Sequence, residues 1–207
     1  MVNSRLIATV AITSLVFLLG IFFGQQISYY NLSELKQTQE KMLYEMIGYE
    51  LTYFILSEKD ICNISFTNLI KERATLGQKV ADLEERFGPE NEEVKSLKER
   101  YLLYQIREYL FFKKLNQECD KSLPLILLFY SHPCDLCIAQ GRILDAIYIK
   151  NKTINIYAMD YEIENPALEA IKDSYKINTT PSLVINEKTY NRFLSFEELN
   201  NILYGAK

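Results

Sequence analysis

The sequence has no tryptophan, a single histidine (His132), and only seven glycines and five prolines in 207 residues. Nowhere do Gly, Ser or Pro accumulate into a long run, so no extended flexible linker separates its parts. A basic surplus is also missing: residues 31–122 carry 14 basic and 17 acidic side chains, and residues 123–207 carry 8 and 10. Nucleic-acid binding, which needs such a surplus, gains no support. Tetrahedral zinc wants two closely spaced ligand pairs, and Cys134, Cys137 and His132 have no second pair to join them, so no metal is expected. No organic cofactor is implied. Finally, no charged residue occurs between Arg5 and Glu34.

Within that uncharged stretch, residues 6–23 are overwhelmingly apolar, just long enough to span a bilayer. A cleavable signal peptide has a shorter apolar region, about 7–15 residues, followed by small residues, and here only Gly20 and Gly24 offer them. An uncleaved single-pass anchor at 6–23 is therefore expected, with a cleaved signal as the alternative. Arg5 and the amino terminus place positive charge before the span, whereas nothing basic follows it until Lys36. That asymmetry predicts a cytoplasmic amino terminus and an extracytoplasmic remainder, anchored in the cell membrane.

Residues 31–120 read as a helical, coiled-coil-like segment dense in Leu, Glu, Lys and Tyr. Three helices are expected, over Ser33–Ser57, Thr67–Phe87 and Glu90–Leu115, with joints at 60–65 and at Gly88-Pro89, the proline falling in the first turn of the third helix. Leu69, Leu76, Val80, Leu83 and Phe87 form one stripe, and Val94, Leu97, Tyr101, Tyr104, Phe111 and Leu115 another. Each has a near-heptad period and one charged interruption, Arg73 in the first and Glu108 in the second, which predicts antiparallel seams. A spacer or dimerisation stalk and a cradle for a partner protein are both open readings. If the helices run up, down and up, Cys62 and Cys119 lie at one end. A structural bridge between them would close a loop of about 57 residues and stabilise by on the order of 4 kcal/mol.

The other two cysteines carry the chemistry. Cys134-Asp135-Leu136-Cys137 sits where the apolar, strand-like run Leu123–Tyr130 gives way to a helix-like one, Ile138–Ile149. Residues three apart share a helix face at roughly 5–6 Å between Cβ atoms, close enough for a reversible disulfide. At a helix start, unpaired N–H groups and the dipole favour the thiolate of Cys134, which makes it the candidate nucleophile and Cys137 the resolving thiol. Downstream come a β-prone run (Thr153–Met159), a helix (Ala167–Tyr175), an apolar strand opened by Pro181, a short strand (Thr189–Phe193), and a helix launched by the capping box Ser195-Phe-Glu-Glu198. The order is β-α-β-α-β-β-α.

At these residues the chain resembles the thioredoxin-like superfamily. The matching elements are the strand ending Phe129-Tyr130, the CxxC at a helix start, and Tyr175-x-Ile177 leading through Thr179-Thr180-Pro181 into Ser182–Ile185. The resemblance implies an α/β thioredoxin-like domain over 121–207 in which Pro181 is a cis-proline facing the cysteine pair. Thr180 and Pro181 would then hold a substrate chain by backbone hydrogen bonds. Two departures bear on activity. The buried Asp usual six residues before the first cysteine is Leu128, and the Trp usual just before that cysteine is Pro133. His132 and Asp135 are candidate modulators of Cys134. Protonated His132 would favour its thiolate, and the Asp135 carboxylate would oppose it, giving a poise nearer the reducing or isomerising members than the strong oxidants.

The expected function is a membrane-anchored, extracytoplasmic thiol-disulfide oxidoreductase that reduces, isomerises or forms disulfides in exported proteins. A membrane thiol oxidase or reductase would serve as its redox partner. The alternative from another class is a non-catalytic thioredoxin-like adaptor with a static disulfide, to which the missing buried acid points.

Overall fold

The structure, a computed structural model, describes residues 4–57, 62, 66–119 and 123–205. The expected joint at 60–65, apart from Cys62, and the boundary between residues 120 and 121 lie outside the described residues, as does the side chain of Leu69. The chain divides into two compact units, Met1–Met42 and Leu43–Lys207.

Helix α1 is Ser4–Ser57. A separate helix beginning at Ser33 was expected, but the intervening residues hold no proline and one glycine, Gly24, whose cost of about 1 kcal/mol does not stop a helix. Within α1, Ala8–Gln26 is long and apolar enough to cross a membrane, a test that a signal sequence also passes.

Helix α2, Thr67–Phe87, ends at Gly88, whose φ of +88° is open to a residue without Cβ. Helix α3 is Glu92–Glu118. Pro89 lies in the turn before it and not in its first turn, because Asn91 takes the N-cap: its side chain accepts the Glu93 and Val94 N–H groups at 3.0 and 3.2 Å. The two helices run antiparallel, with Glu84 opposite Lys98, Gly77 against Tyr101, and Arg73 near Glu108.

Of the two stripes, Leu76, Val80, Val94, Leu97, Tyr104 and Leu115 are buried, and Leu83, Phe87, Tyr101 and Phe111 are half-buried. Their two charged interruptions meet each other. Arg73 Nε stands 3.7 Å from Glu108 Oε2, both side chains almost wholly buried, and Tyr53 of α1 donates to Glu108 Oε1 at 2.8 Å. At 3.7 Å the pair is ionic contact without a good hydrogen bond. The Arg73 guanidinium also lies 4.4 Å from the centre of the Tyr157 ring. Helix α3 has a second buried face as well, Leu102, Gln105, Ile106, Tyr109 and Phe112, which a two-helix stalk would leave wet.

Part of that face, Gln105 and Tyr109, meets a four-stranded sheet of order β2-β1-β3-β4, whereas Phe112 packs on Phe66 and Tyr53. Strand β1 (Leu125–Tyr130) leads to α4 (Asp135–Lys150) and to β2 (Asn155–Asp160), which pairs parallel to β1. Next come α5 (Pro166–Tyr175), β3 (Ser182–Ile185) and β4 (Lys188–Tyr190), the last two antiparallel to their neighbours, and then α6 (Phe196–Tyr204). The strands are one or two residues shorter than their expected runs, and the element order is the expected one. Successive strand residues point to opposite faces. Ile126, Leu128, Leu183 and Ile185 pack with Leu144 and Ile147 of α4 and Leu199 of α6 in one apolar core, while α3 lies against β1 and β2 on the sheet's other side and α5 against α3.

Two buried glutamines fasten helices to backbone. Gln105 of α3 accepts the Ala158 N–H and donates to the Ala158 carbonyl, both at 3.0 Å, filling two groups of the edge strand β2. A bare edge invites pairing with another chain, and α3 blunts this one. Gln140 of α4 makes the same pair of bonds with Leu194, at 3.2 and 2.7 Å.

Candidate redox site

Cys134 is the N-cap of α4. Its carbonyl accepts the N–H groups of Cys137 and Ile138, each at 3.1 Å, and its sulfur receives the Cys137 N–H at 3.0 Å. Free N–H groups at a helix start and the positive dipole end both favour negative charge at that sulfur. The two cysteines are joined, with Cα atoms 5.2 Å apart. Cys134 is partly exposed and Cys137 buried, so the first is the sulfur that another molecule can reach.

The strand register delivers Pro181 to the same end of the sheet. Phe129 pairs with Ser182, so the chain leaving β1 toward Cys134 and the chain entering β3 from Pro181 lie side by side. A hydroxyl contact of 2.6 Å between Ser131 and Thr180 ties them together. Thr180–Pro181 is a cis peptide, and so is His132–Pro133. Leu136 and Ile138 are exposed beside the cysteines.

His132 and Asp135 are both exposed. The His132 ring stands 5.4 Å from that of Tyr130, and its backbone N–H donates to Glu162 at 3.2 Å. Asp135 opens α4. Leu128, in the place of the usual acid, belongs to the apolar core under α4. Among the described residues no group of three or more His, Cys, Asp or Glu is arranged to hold a metal.

Sequence reasoning missed the polar residues behind the site. Lys98 of α3 bridges Glu84 of α2 at 2.7 Å and Asp160, the last residue of β2, at 2.8 Å. Burial opposes the Lys98 charge, but the bonds to Asp160 and Glu84 outweigh it and hold its pKa above the ordinary value. Nothing in the local pattern around Lys98, a lysine among other charges on a helix, distinguishes it. Away from the pair, Cys62 and Cys119 are bonded, with Cα atoms 5.3 Å apart.

No protein-family model matches the chain, and no curated protein matches it. Solved structures do. A structure described as that of a malarial protein is 16% identical with a TM-score of 0.35, over 41% of this chain and 97% of the other. Oxidised thioredoxin O2 of Arabidopsis thaliana is 16% identical with a TM-score of 0.37, over 48% and 88%. Thioredoxin f2 of Chlamydomonas reinhardtii is 13% identical with a TM-score of 0.33, over 42% and 84%.

Proposed function

We propose that the protein is a thioredoxin-like thiol-disulfide oxidoreductase, anchored in a membrane by the apolar part of α1 and facing outward, that acts on cysteines of exported proteins. The observation that carries this reading is the asymmetric pair: a reachable Cys134 at the helix start, a buried Cys137 one turn inside, and Thr180-Pro181 alongside.

In the oxidising direction, a substrate thiolate attacks Cys134 Sγ. The bond to Cys137 breaks, and Cys137 leaves as the thiolate. A second substrate thiolate then attacks the mixed disulfide, forms the substrate's own bond, and releases Cys134 as thiolate. Two electrons pass to the pair. Reduction is the reverse, with Cys134 attacking and Cys137 resolving. Thr180 and Pro181 hold the substrate backbone, His132 and Asp135 flank the nucleophile, and the Cys62–Cys119 bridge clamps the helical segment. A membrane thiol oxidase or reductase resets the pair.

Trapping tests the assignment. Cys137→Ser should accumulate mixed disulfides with other proteins on non-reducing gels, and Cys134→Ser far fewer, because only the first keeps an attacking sulfur and loses the resolving one. Equal trapping by both variants would refute it. The adaptor reading draws on Leu128, since an apolar residue there leaves no buried proton acceptor. It expects no trapping by either variant and no turnover of a scrambled-disulfide substrate.

A further inference from the structure

The segment between β1 and α4, Ser131 to Pro133, has no helix or strand of its own to fix it, yet it sets where Cys134 stands. Besides the Ser131–Thr180 contact, its support comes from the turn after β2. Tyr161 N–H donates to the Tyr130 carbonyl at 2.7 Å, and the Glu162 carboxylate accepts the His132 N–H at 3.2 Å. That turn is shaped in its own right by Asp160, whose Oδ1 accepts the Glu162 N–H at 3.1 Å. The other carboxylate oxygen of Asp160 is held by Lys98, which Glu84 holds in turn. Lys98, Asp160 and Glu84 all have side chains less than one-fifth exposed, so their contacts compete little with water. A polar chain, sheltered from Glu84 to Asp160 and solvent-exposed at the Glu162–His132 bond, thus runs from α2 through α3 and the turn to the residue two before the nucleophile.

We propose that Lys98 and Glu162 are positioning residues for the Cys134–Cys137 pair: Lys98 fixes the turn after β2, and Glu162 on that turn holds the chain that presents Cys134. The helical hairpin α2–α3 is on this account part of the redox site, acting through a strut and not through contact with substrate. Residues two apart in the chain lie within roughly 7 Å, so freeing His132 moves the base of Cys134 directly. The strut needs an acceptor at position 162, not a charge, and an amide oxygen serves as well.

The inference rests on the proposed function for its consequence but not for its geometry, and two readouts keep them apart. The first is hydrogen exchange of the His132 amide in the full-length protein with the pair oxidised. Glu162→Ala should speed it roughly fivefold, the loss of one net hydrogen bond. Glu162→Gln should leave it near wild type, and Lys98→Met should speed it in the wild-type background but add nothing to Glu162→Ala. The second is the rate at which reduced Cys134 attacks glutathione disulfide, which should fall in Glu162→Ala and Lys98→Met and be restored in Glu162→Gln. Additive effects of Lys98→Met and Glu162→Ala on exchange, or failure of the glutamine to rescue, would overturn the strut. Exchange behaving as stated with no reaction of wild-type Cys134 would leave the strut standing and sink the redox reading.

Discussion

The sheet core and the helical core of residues 43–207 are built on opposite terms. The first is apolar throughout, Ile126, Leu128, Leu144, Leu183, Ile185 and Leu199 packing without a charged group. The second centres on a buried ion pair, Arg73 and Glu108, with tyrosines 53, 104 and 157 around it. Apolar burial is tolerant of partner, since any well-shaped neighbour serves, whereas a buried charge is tolerable only with its own counter-charge in place. The helical hairpin thus buries charges that must stay paired, while the sheet domain is stabilised by area and shape.

The sharpest way to break this contrast is to remove one charge. Glu108→Ala leaves Arg73 buried without its partner and should cost about 3–5 kcal/mol in urea unfolding. Changing Arg73→Met and Glu108→Leu together should be near neutral, or stabilising by up to about 4 kcal/mol. A double variant as unstable as the single would mean that the ion pair itself stabilises the hairpin. In the sheet core, Leu144→Ala should cost about 2–5 kcal/mol through lost burial and a cavity.

An effect of a different kind separates the two glutamines. Gln105→Leu and Gln140→Leu each leave a backbone N–H and C=O unpaired, at about 1–3 kcal/mol per group if water cannot reach them. Only Gln105 guards a strand edge, so its variant should aggregate with rising concentration, as light scattering would record, and the Gln140 variant should not. Equal aggregation would show that the edge of β2 is covered by other means.

The smallest effects are in pH, and they differ in sign. Burial raises the Glu108 carboxyl above its ordinary 4.5, against the opposing pull of Arg73 and the Tyr53 hydroxyl. The folded state therefore holds that proton more tightly, and this contribution to stability is lost as pH climbs past about 4.5. Glu198 goes the other way: bonds from Arg192 and from the Ser195 backbone and hydroxyl lower it to about 2. Its contribution is present above about 4.5 and disappears as pH falls toward about 2. In a urea-midpoint series against pH, Glu108→Gln should flatten the rise-dependent loss and Glu198→Gln the acid-side loss. Unchanged slopes would show that other groups dominate.

Local chemistry made much of this legible. The end of α2 follows from a near-heptad stripe that runs to Phe87 and from Gly88 just after it. Ser195 and Glu198 form the reciprocal cap that their spacing required, with bonds of 2.9 and 3.2 Å. Cys134 and Cys137 were identifiable because a strand-to-helix change and a three-residue spacing are both short-range facts. Less legible were the start of α3, where Asn91 competed with Pro89 for the cap, and the continuity of α1, where polar residues after an apolar run imitate a boundary. Arg73 and Glu108 looked like flaws in two seams until the seams were brought together.

The sequence by itself therefore determined most of the elements, the order of those from β1 onward and the candidate cysteine pair, because periodicity, capping and the CxxC spacing act within a few residues. The partners of Arg73, Gln105, Lys98 and Glu162 were decided only by tertiary structure. Each is a polar side chain whose burial or role depends on a group 30 to 62 residues away, or on backbone that the sheet alone brings near. A polar residue reads as solvent-facing until its counterpart is known, and no local pattern carries that counterpart's position.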